Sequence, residues 1–438
     1  MDDPRDAHLT EETLQLLFEE EHTEEENRLL LHHLAVCEDC YKVGGYILEL
    51  YRTGAIDLEF SSTDLGLGRS RLEAPKLWEE LKDKPFADQK RIVRRTSRYH
   101  SWGLSELLCD ESIREGARSA TAAEQRAELA VLVASRIEPG EPAEPGWLAL
   151  LQGYAWCHLA NARKVRVDLR KAEEAMIQAD AKWEPAAQDL GDVLGYEARY
   201  LALKASLRRE ERKLAEAEEL LDQALSATED PQVIAKLVLG KAKILEEKNE
   251  HEAAVEVLKQ AADSIRVEND PRLALCLEHN LVWLLASTGK ALEARLRFPA
   301  LADLSRRGGD TLDLLRLGWV EARIALGLGE LEEAAGILER VRCGFEKEGM
   351  GFDAALATLE LATMRVREGR QSEVPALAAE ALPLFQANGI EREALAALVL
   401  FKEAADANRL TVELAEQVLS RVEKSSRTAT KTKLPTLI

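Results

Sequence analysis

Little in this chain interrupts a helix. Among 438 residues there are only 25 glycines and 13 prolines, and aromatic residues make up 5%. Leu, Ala and Glu dominate and β-branched runs are few, which excludes collagen-like and long disordered polymers and predicts an almost wholly helical chain. Long apolar runs are missing too: none reaches the ~18 residues that would span a bilayer, so no membrane segment is expected. Six cysteines are too scattered for a disulfide framework in a chain of this length. Basic residues are outnumbered, 58 Lys and Arg against 79 Asp and Glu, for a net charge of −21. That balance disfavours direct nucleic-acid binding, which needs a cationic face toward phosphate. The first residues, MDDPRDAHLTEE, are acidic where a secretory signal is basic and apolar, so a cytoplasmic protein is expected. The length allows two to four domains.

What is present begins at the N-terminus. Thr10 with Glu11 and Glu12 starts one predicted helix, and Thr23 with Glu26 forms a capping box that opens a second. On that second helix His33 and Cys37 are one turn apart on the same face, and Cys40 follows after Glu38 and Asp39. Two thiolates two residues apart, with an imidazole one turn before, supply three donors for a tetrahedral zinc ion. The fourth has to come from His8, His22 or His32, and His32 points about 100° away from His33. The other four cysteines, Cys109, Cys157, Cys276 and Cys343, stand alone in helical patterns and read as small buried hydrophobes.

The pattern His8-x24-His33-x3-Cys37-x2-Cys40, with the stretch HLAVCEDC, resembles the zinc-binding anti-sigma domain of bacteria. The resemblance covers about 50 residues and implies Zn²⁺ held by His8, His33, Cys37 and Cys40. It also implies a sigma factor as the partner of residues 1–60, withheld from RNA polymerase. Glu20-Glu21-His22 stands where the family usually has a small or Gly-containing turn. Residues 1–26 carry eleven acidic side chains against one Arg, a surface able to face a basic protein.

Residues 61–75, SSTDLGLGRSRLEAP, read as a linker, rich in Ser and Gly without periodic apolar positions. The charge then reverses: residues 69–98 hold ten Lys and Arg against five acids, with Arg91, Arg94, Arg95 and Arg98 along one side of a predicted helix. Residues 76–146 read as a helical connector or solenoid cap. From 147 to 423 the chain repeats with a period of about forty. Asn249, Gly289, Gly329 and Gly369 mark turns, and Ala254, Ala294, Ala334 and Val374 fill a small-residue slot, which Ala172 and Ala217 occupy in less regular copies. Residues 424–438, basic and rich in Ser and Thr, read as a disordered tail.

Helix–turn–helix units with that slot resemble tetratricopeptide repeats, at a period longer than the usual 34. The expected fold is all-α: a small zinc-bound helical domain followed by a tetratricopeptide-like α-solenoid. Such a solenoid presents its first helices along a groove, and repeat alignment places Lys236, Lys243, His279, Arg316, Trp319 and Arg323 there, suited to a peptide or protein partner. No phosphate-binding loop and no nucleophile–base pair is recognisable, and Cys157 and His158 diverge by about 100° on one helix. A non-enzymatic role is expected. The first reading is a bacterial regulator whose zinc module sequesters a sigma factor or other transcription component while the repeats receive the signal. The alternative is a repeat scaffold or adaptor, of a stress or defence system or a protease target, whose zinc module only docks or caps.

Overall fold

A computed structural model describes residues 62–429, except 117, 141–143, 192–193, 265–269, 388–391 and 408. Every regular element among them is helical. The chain divides into two compact units, with the boundary between Val233 and Ile234. The first contains α1 (Ser62–Leu81), α2 (Phe86–Arg95), α3 (Trp102–Gly116), α4 (Ala120–Ala134), α5 (Pro145–Val165), α6 (Leu169–Leu190), α7 (Glu197–Glu210) and α8 (Leu214–Ser226). The second contains α9 (Pro231–Glu247), whose first turn holds the boundary, α10 (His251–Ser264), α11 (Pro271–Ser287), α12 (Ala291–Gly308) and α13 (Thr311–Gly327). It continues through α14 (Leu331–Lys347), α15 (Gly351–Arg367), α16 (Val374–Ala387), α17 (Arg392–Asp406) and α18 (Val412–Ala429).

The repeat register seen in the sequence is the register of the hairpin turns. Gly289, Gly329 and Gly369 adopt positive φ, and so do Asn249, Arg212 and Val167. At each, the next backbone N–H reaches back to the helix: Glu250 to the Leu245 carbonyl (2.8 Å), Lys290 to Leu285 (3.0 Å), Glu330 to Ala325 (2.9 Å), Arg370 to Arg365 (2.8 Å). Asp168 and Lys213 close the two earlier turns on Arg163 and Arg208 in the same way. This left-handed cap satisfies carbonyls that the helix end would leave bare. Ala172, Ala217, Ala254, Ala294 and Ala334 are fully buried and Val374 nearly so, because the two helices of a hairpin approach where the side chain is short. Helix starts are equally local: Asp168 and Asp270 cap α6 and α11, and Asp310 forms a capping box with Asp313.

Val167 is the strained member of the set, a β-branched residue at φ 64° with 70% of its surface exposed. The left-handed region costs such a residue roughly 1–2 kcal/mol, part of which glycine returns as lost chain entropy. Val167→Gly is therefore expected to stabilise the first unit by about 0.5–1 kcal/mol, read as a higher urea midpoint at unchanged slope.

Two boundaries differ from the sequence reading. The segment expected as a linker, 61–75, is helical from Ser62 onward. Leu67, Ala74, Leu77, Trp78 and Leu81 all face the core, so an apolar face does run through the Ser- and Gly-rich stretch. Ser70 lies where α3 approaches closely: its hydroxyl accepts the Gly103 N–H (2.9 Å), and a Cβ on Gly103 would lie 2.4 Å from the Ser70 carbonyl oxygen. At the other end, α18 runs to Ala429, through the start of the expected tail. Ala415, Val418 and Val422, buried at helical spacing, anchor it, and helix propagation carries the charged residues that follow. Hairpins also begin before residue 147, with α3 packed on α4. The zinc-module domain, residues 1–60, lies outside the described residues.

Candidate partner-binding face of the second unit

Four of the six proposed groove residues sit on α11 and α13, and three of them meet around one indole. The Arg323 guanidinium lies 3.9 Å from the Trp283 ring centre, His279 stacks near-parallel to that ring at 6.2 Å, and Trp319 meets it edge-on at 5.5 Å. Beneath them Glu360 of α15 accepts the Trp319 indole N–H (2.9 Å) and the Arg323 Nε–H (3.0 Å), with a further contact from the same guanidinium. Arg323 also donates to the Ser287 hydroxyl (3.0 Å). The cluster binds three successive first helices to one another.

Arg316 lies two turns earlier on α13. It donates to Asp313 (3.3 Å), a carboxylate only 3% exposed that also receives Arg272 of α11 and the Asp310 backbone N–H. Burial alone would raise the Asp313 pKa, but the Arg272 hydrogen bond, the backbone bond and both guanidinium charges outweigh it and hold the carboxyl below its ordinary range. A third buried carboxylate, Glu278, is gripped by both arms of Arg297 on α12, at 2.9 Å each. Lys236 and Lys243 stand on α9 and are half-buried.

Trp319 therefore does not line an open groove as its spacing suggested. It is 5% exposed, with its one donor satisfied inside. An indole at that position fits between Trp283 and Phe345, and removing it from water outweighs displaying it. Arg316 and Arg323 keep 14% and 13% of their side chains exposed, so each offers a guanidinium edge from a position already fixed by a carboxylate. Sequence reasoning missed Trp283 and Glu360. Counting forty from Lys243 reaches Trp283 and then Arg323, which was the available signal. Glu360 has Asn280 and Val320 as its repeat equivalents, so no pattern flagged it.

The first unit has its own buried polar hub, at residues the sequence had not singled out. Arg71 of α1 donates from Nε and Nη2 to Glu106 of α3, at 2.8 Å each. Glu106 also accepts from the Trp102 indole (3.2 Å) and the Tyr196 hydroxyl. Tyr196 stacks on Tyr154 at 4.3 Å, and Tyr154 meets the edge of His158. His158 is fully buried, and burial, aided by the Arg199 charge, pushes its pKa well below the usual value. Cys109 and Cys157 are buried beside it and burial raises both thiols, as expected of structural cysteines.

His8, His33, Cys37 and Cys40 lie outside the described residues. Among those described, no group of three or more His, Cys, Asp or Glu is arranged to hold a metal ion. No described helix is long and apolar enough to cross a membrane.

No protein-family model matches the chain, and neither does any curated protein. Among solved structures it is similar to a Rap protein complexed with competence and sporulation factor, with 14% identity over 75% of this chain and 88% of that one and a TM-score of 0.51. It is also similar to the apo form of RapI (12% identity, 73% and 98% coverage, TM-score 0.48). A third is aspartyl phosphate phosphatase F from Bacillus subtilis (12% identity, 83% and 94% coverage, TM-score 0.46). At this identity the likeness concerns the fold: a tetratricopeptide-like array of helical repeats.

Proposed function

We propose that the chain is a non-catalytic, cytoplasmic adaptor or regulator that takes a protein or peptide partner on the first-helix face of its second unit. The observation that carries this reading is the row of cationic side chains on that face, with Arg316 and Arg323 pre-positioned by buried carboxylates. A guanidinium already held in place loses little freedom when it meets a carboxylate or a backbone carbonyl. The Rap protein complexed with competence and sporulation factor supports the reading, as an array of the same fold that carries a partner. The test compares capture by the intact chain and by Lys236→Glu/Lys243→Glu, with retained proteins identified and helicity checked by circular dichroism. Both lysines are half-buried at the face but outside the Trp283 cluster, so the variant is expected to fold and to retain at least tenfold less of a specific partner. Equal retention by both chains defeats the proposal.

A second reading rests on the donor set at the N-terminus. Two thiolates and two imidazoles are what a closed tetrahedral zinc site takes, and we propose one Zn²⁺ per chain on His8, His33, Cys37 and Cys40. A sigma factor or other transcription component is the partner of residues 1–60 in this reading, and the repeats control its release. Metal analysis is expected to find about one zinc per chain, and close to none in Cys37→Ser/Cys40→Ser. Equal zinc in both rejects the site, and loss in His22→Ala but not in His8→Ala reassigns the fourth ligand. Chelation is expected to weaken sigma-factor capture while the helicity of the repeats stays unchanged.

A further inference from the structure

The helix α2 presents an arginine face that has few partners among the described residues. Val93 is fully buried and Gln89 is 1% exposed, and these two fix which way the helix points. The Gln89 amide donates to the carbonyls of Leu81 (3.0 Å), Lys82 (3.2 Å) and Lys84 (2.9 Å), clamping the turn from α1. Arg94 and Arg95, at the end of α2, are exposed and have no side-chain partner among the described residues. Arg91, one turn earlier, is 61% exposed and among the described residues pairs only with Asp88 on its own helix (2.7 Å). Arg98, just beyond, is 52% exposed and pairs with Glu80. A rigid cationic strip thus stands on a molecule whose net charge is −21.

We propose that this strip is the docking surface for the acidic first 26 residues of the same chain. That segment holds eleven carboxylates against one Arg, nearly half of the whole chain's net charge. Thirty-five residues separate Glu26 from Ser62. Even at a helix's rise of about 1.5 Å per residue, a stretch of that length can span ~50 Å, more than the ~30 Å length of α1, which leads directly into α2. The tether therefore makes the encounter intramolecular and raises the effective concentration of the acidic block near α2. A foreign polyanion lacks that advantage and is repelled by the rest of the molecule. Each exposed ion pair is individually weak and screened, so the docking is reversible and salt-labile. It withholds residues 1–26 from partners until salt or a competing basic surface displaces them. The inference does not depend on metal at Cys37 and Cys40.

The experiment uses the full chain carrying Arg94→Lys/Arg95→Lys, which preserves charge and supplies amines for zero-length carbodiimide cross-linking. Mass spectrometry is expected to find amides between those amines and carboxylates of residues 1–26. They should fall at least about fivefold when salt is raised to roughly 1 M, where the Debye length is 3 Å. Mixing isotopically heavy and light chains separates links within a molecule from links between copies. Links confined to Asp88 and other carboxylates beyond residue 61, or found only between copies, overturn the proposal. In Arg91→Glu/Arg94→Glu/Arg95→Glu, glutamyl endopeptidase should cut within residues 1–26 at least about fivefold faster, and an unchanged rate overturns it. Duplex DNA that binds the full chain, loses binding in this variant and leaves the cleavage rate unaltered assigns the strip to an external nucleic acid instead.

Discussion

Glu360→Ala is expected to lower the stability of the second unit by about 3–5 kcal/mol, because it leaves a buried guanidinium and a buried indole N–H without their acceptor. The residue is 4% exposed, and Arg323, which it holds, is 13% exposed at the side chain. Water therefore cannot replace the carboxylate without opening the contacts among α11, α13 and α15. The loss should register as a fall in the urea midpoint followed through the fluorescence of Trp283 and Trp319, the two tryptophans of the second unit. Replacing both partners, as Arg323→Met/Glu360→Met, removes the unpaired charge and should recover part of the loss. The remainder is the Trp319 N–H, worth about 1–3 kcal/mol when left unsatisfied. A single Glu360→Ala cost below about 1 kcal/mol would mean that the carboxylate is not load-sharing between the repeats.

Glu106→Ala should do comparable damage to the first unit, again about 3–5 kcal/mol, since Arg71, Trp102 and Tyr196 all donate to that one carboxylate. Its protonation adds a pH signature. Burial would raise the Glu106 pKa, yet the Arg71 charge and the hydrogen bonds of Arg71, Tyr196 and Trp102 hold it below the ordinary value. The unfolded carboxyl takes up its proton near pH ~4.3. Below that pH the unfolded chain binds more protons than the folded one, so stability falls as pH drops toward the lower folded value. His158 contributes at milder acidity. It stays neutral in the folded unit while the unfolded imidazole protonates near ~6.5, so stability declines below that pH by up to about 1.4 kcal/mol per pH unit. Urea midpoints between about pH 7 and 5 should thus fall in the parent and in Glu106→Ala alike. Below about pH 4.3 the further loss should be steeper in the parent than in Glu106→Ala, which keeps the other depressed carboxylates, Asp313 among them, but lacks this one.

The hairpin plan was legible in the sequence because it is written in local chemistry. Gly289, Gly329 and Gly369 repeat where a left-handed cap is needed, and Ala254, Ala294 and Ala334 repeat where two helices touch. Each requirement concerns a few neighbouring residues, so it survives as a period in the chain. The pattern Val167 and Arg212 obscured is the same one: they occupy the same cap without the residue that usually marks it. The segment expected as a linker, 61–75, departs from its sequence pattern for a related reason, being helical from Ser62 onward. Its Ser and Gly read as a connection, whereas Ser70 packs against Gly103 of α3, where α1 and α3 lie against each other.

The polar hubs belong to the tertiary structure alone. Glu106 meets Tyr196 across 90 positions and Arg71 across 35, and Glu360 meets Trp319 across 41. Nothing within one helix distinguishes these carboxylates from the many others on solvated faces of a chain with 79 acidic residues. Composition and periodicity determined that the chain is helical, where it turns and which short side chains lie between paired helices. Which charges are buried, and that Trp319 supports a face instead of lining it, was decided only when helices distant in sequence came together, because a charge is stabilised away from water by partners that only the fold supplies.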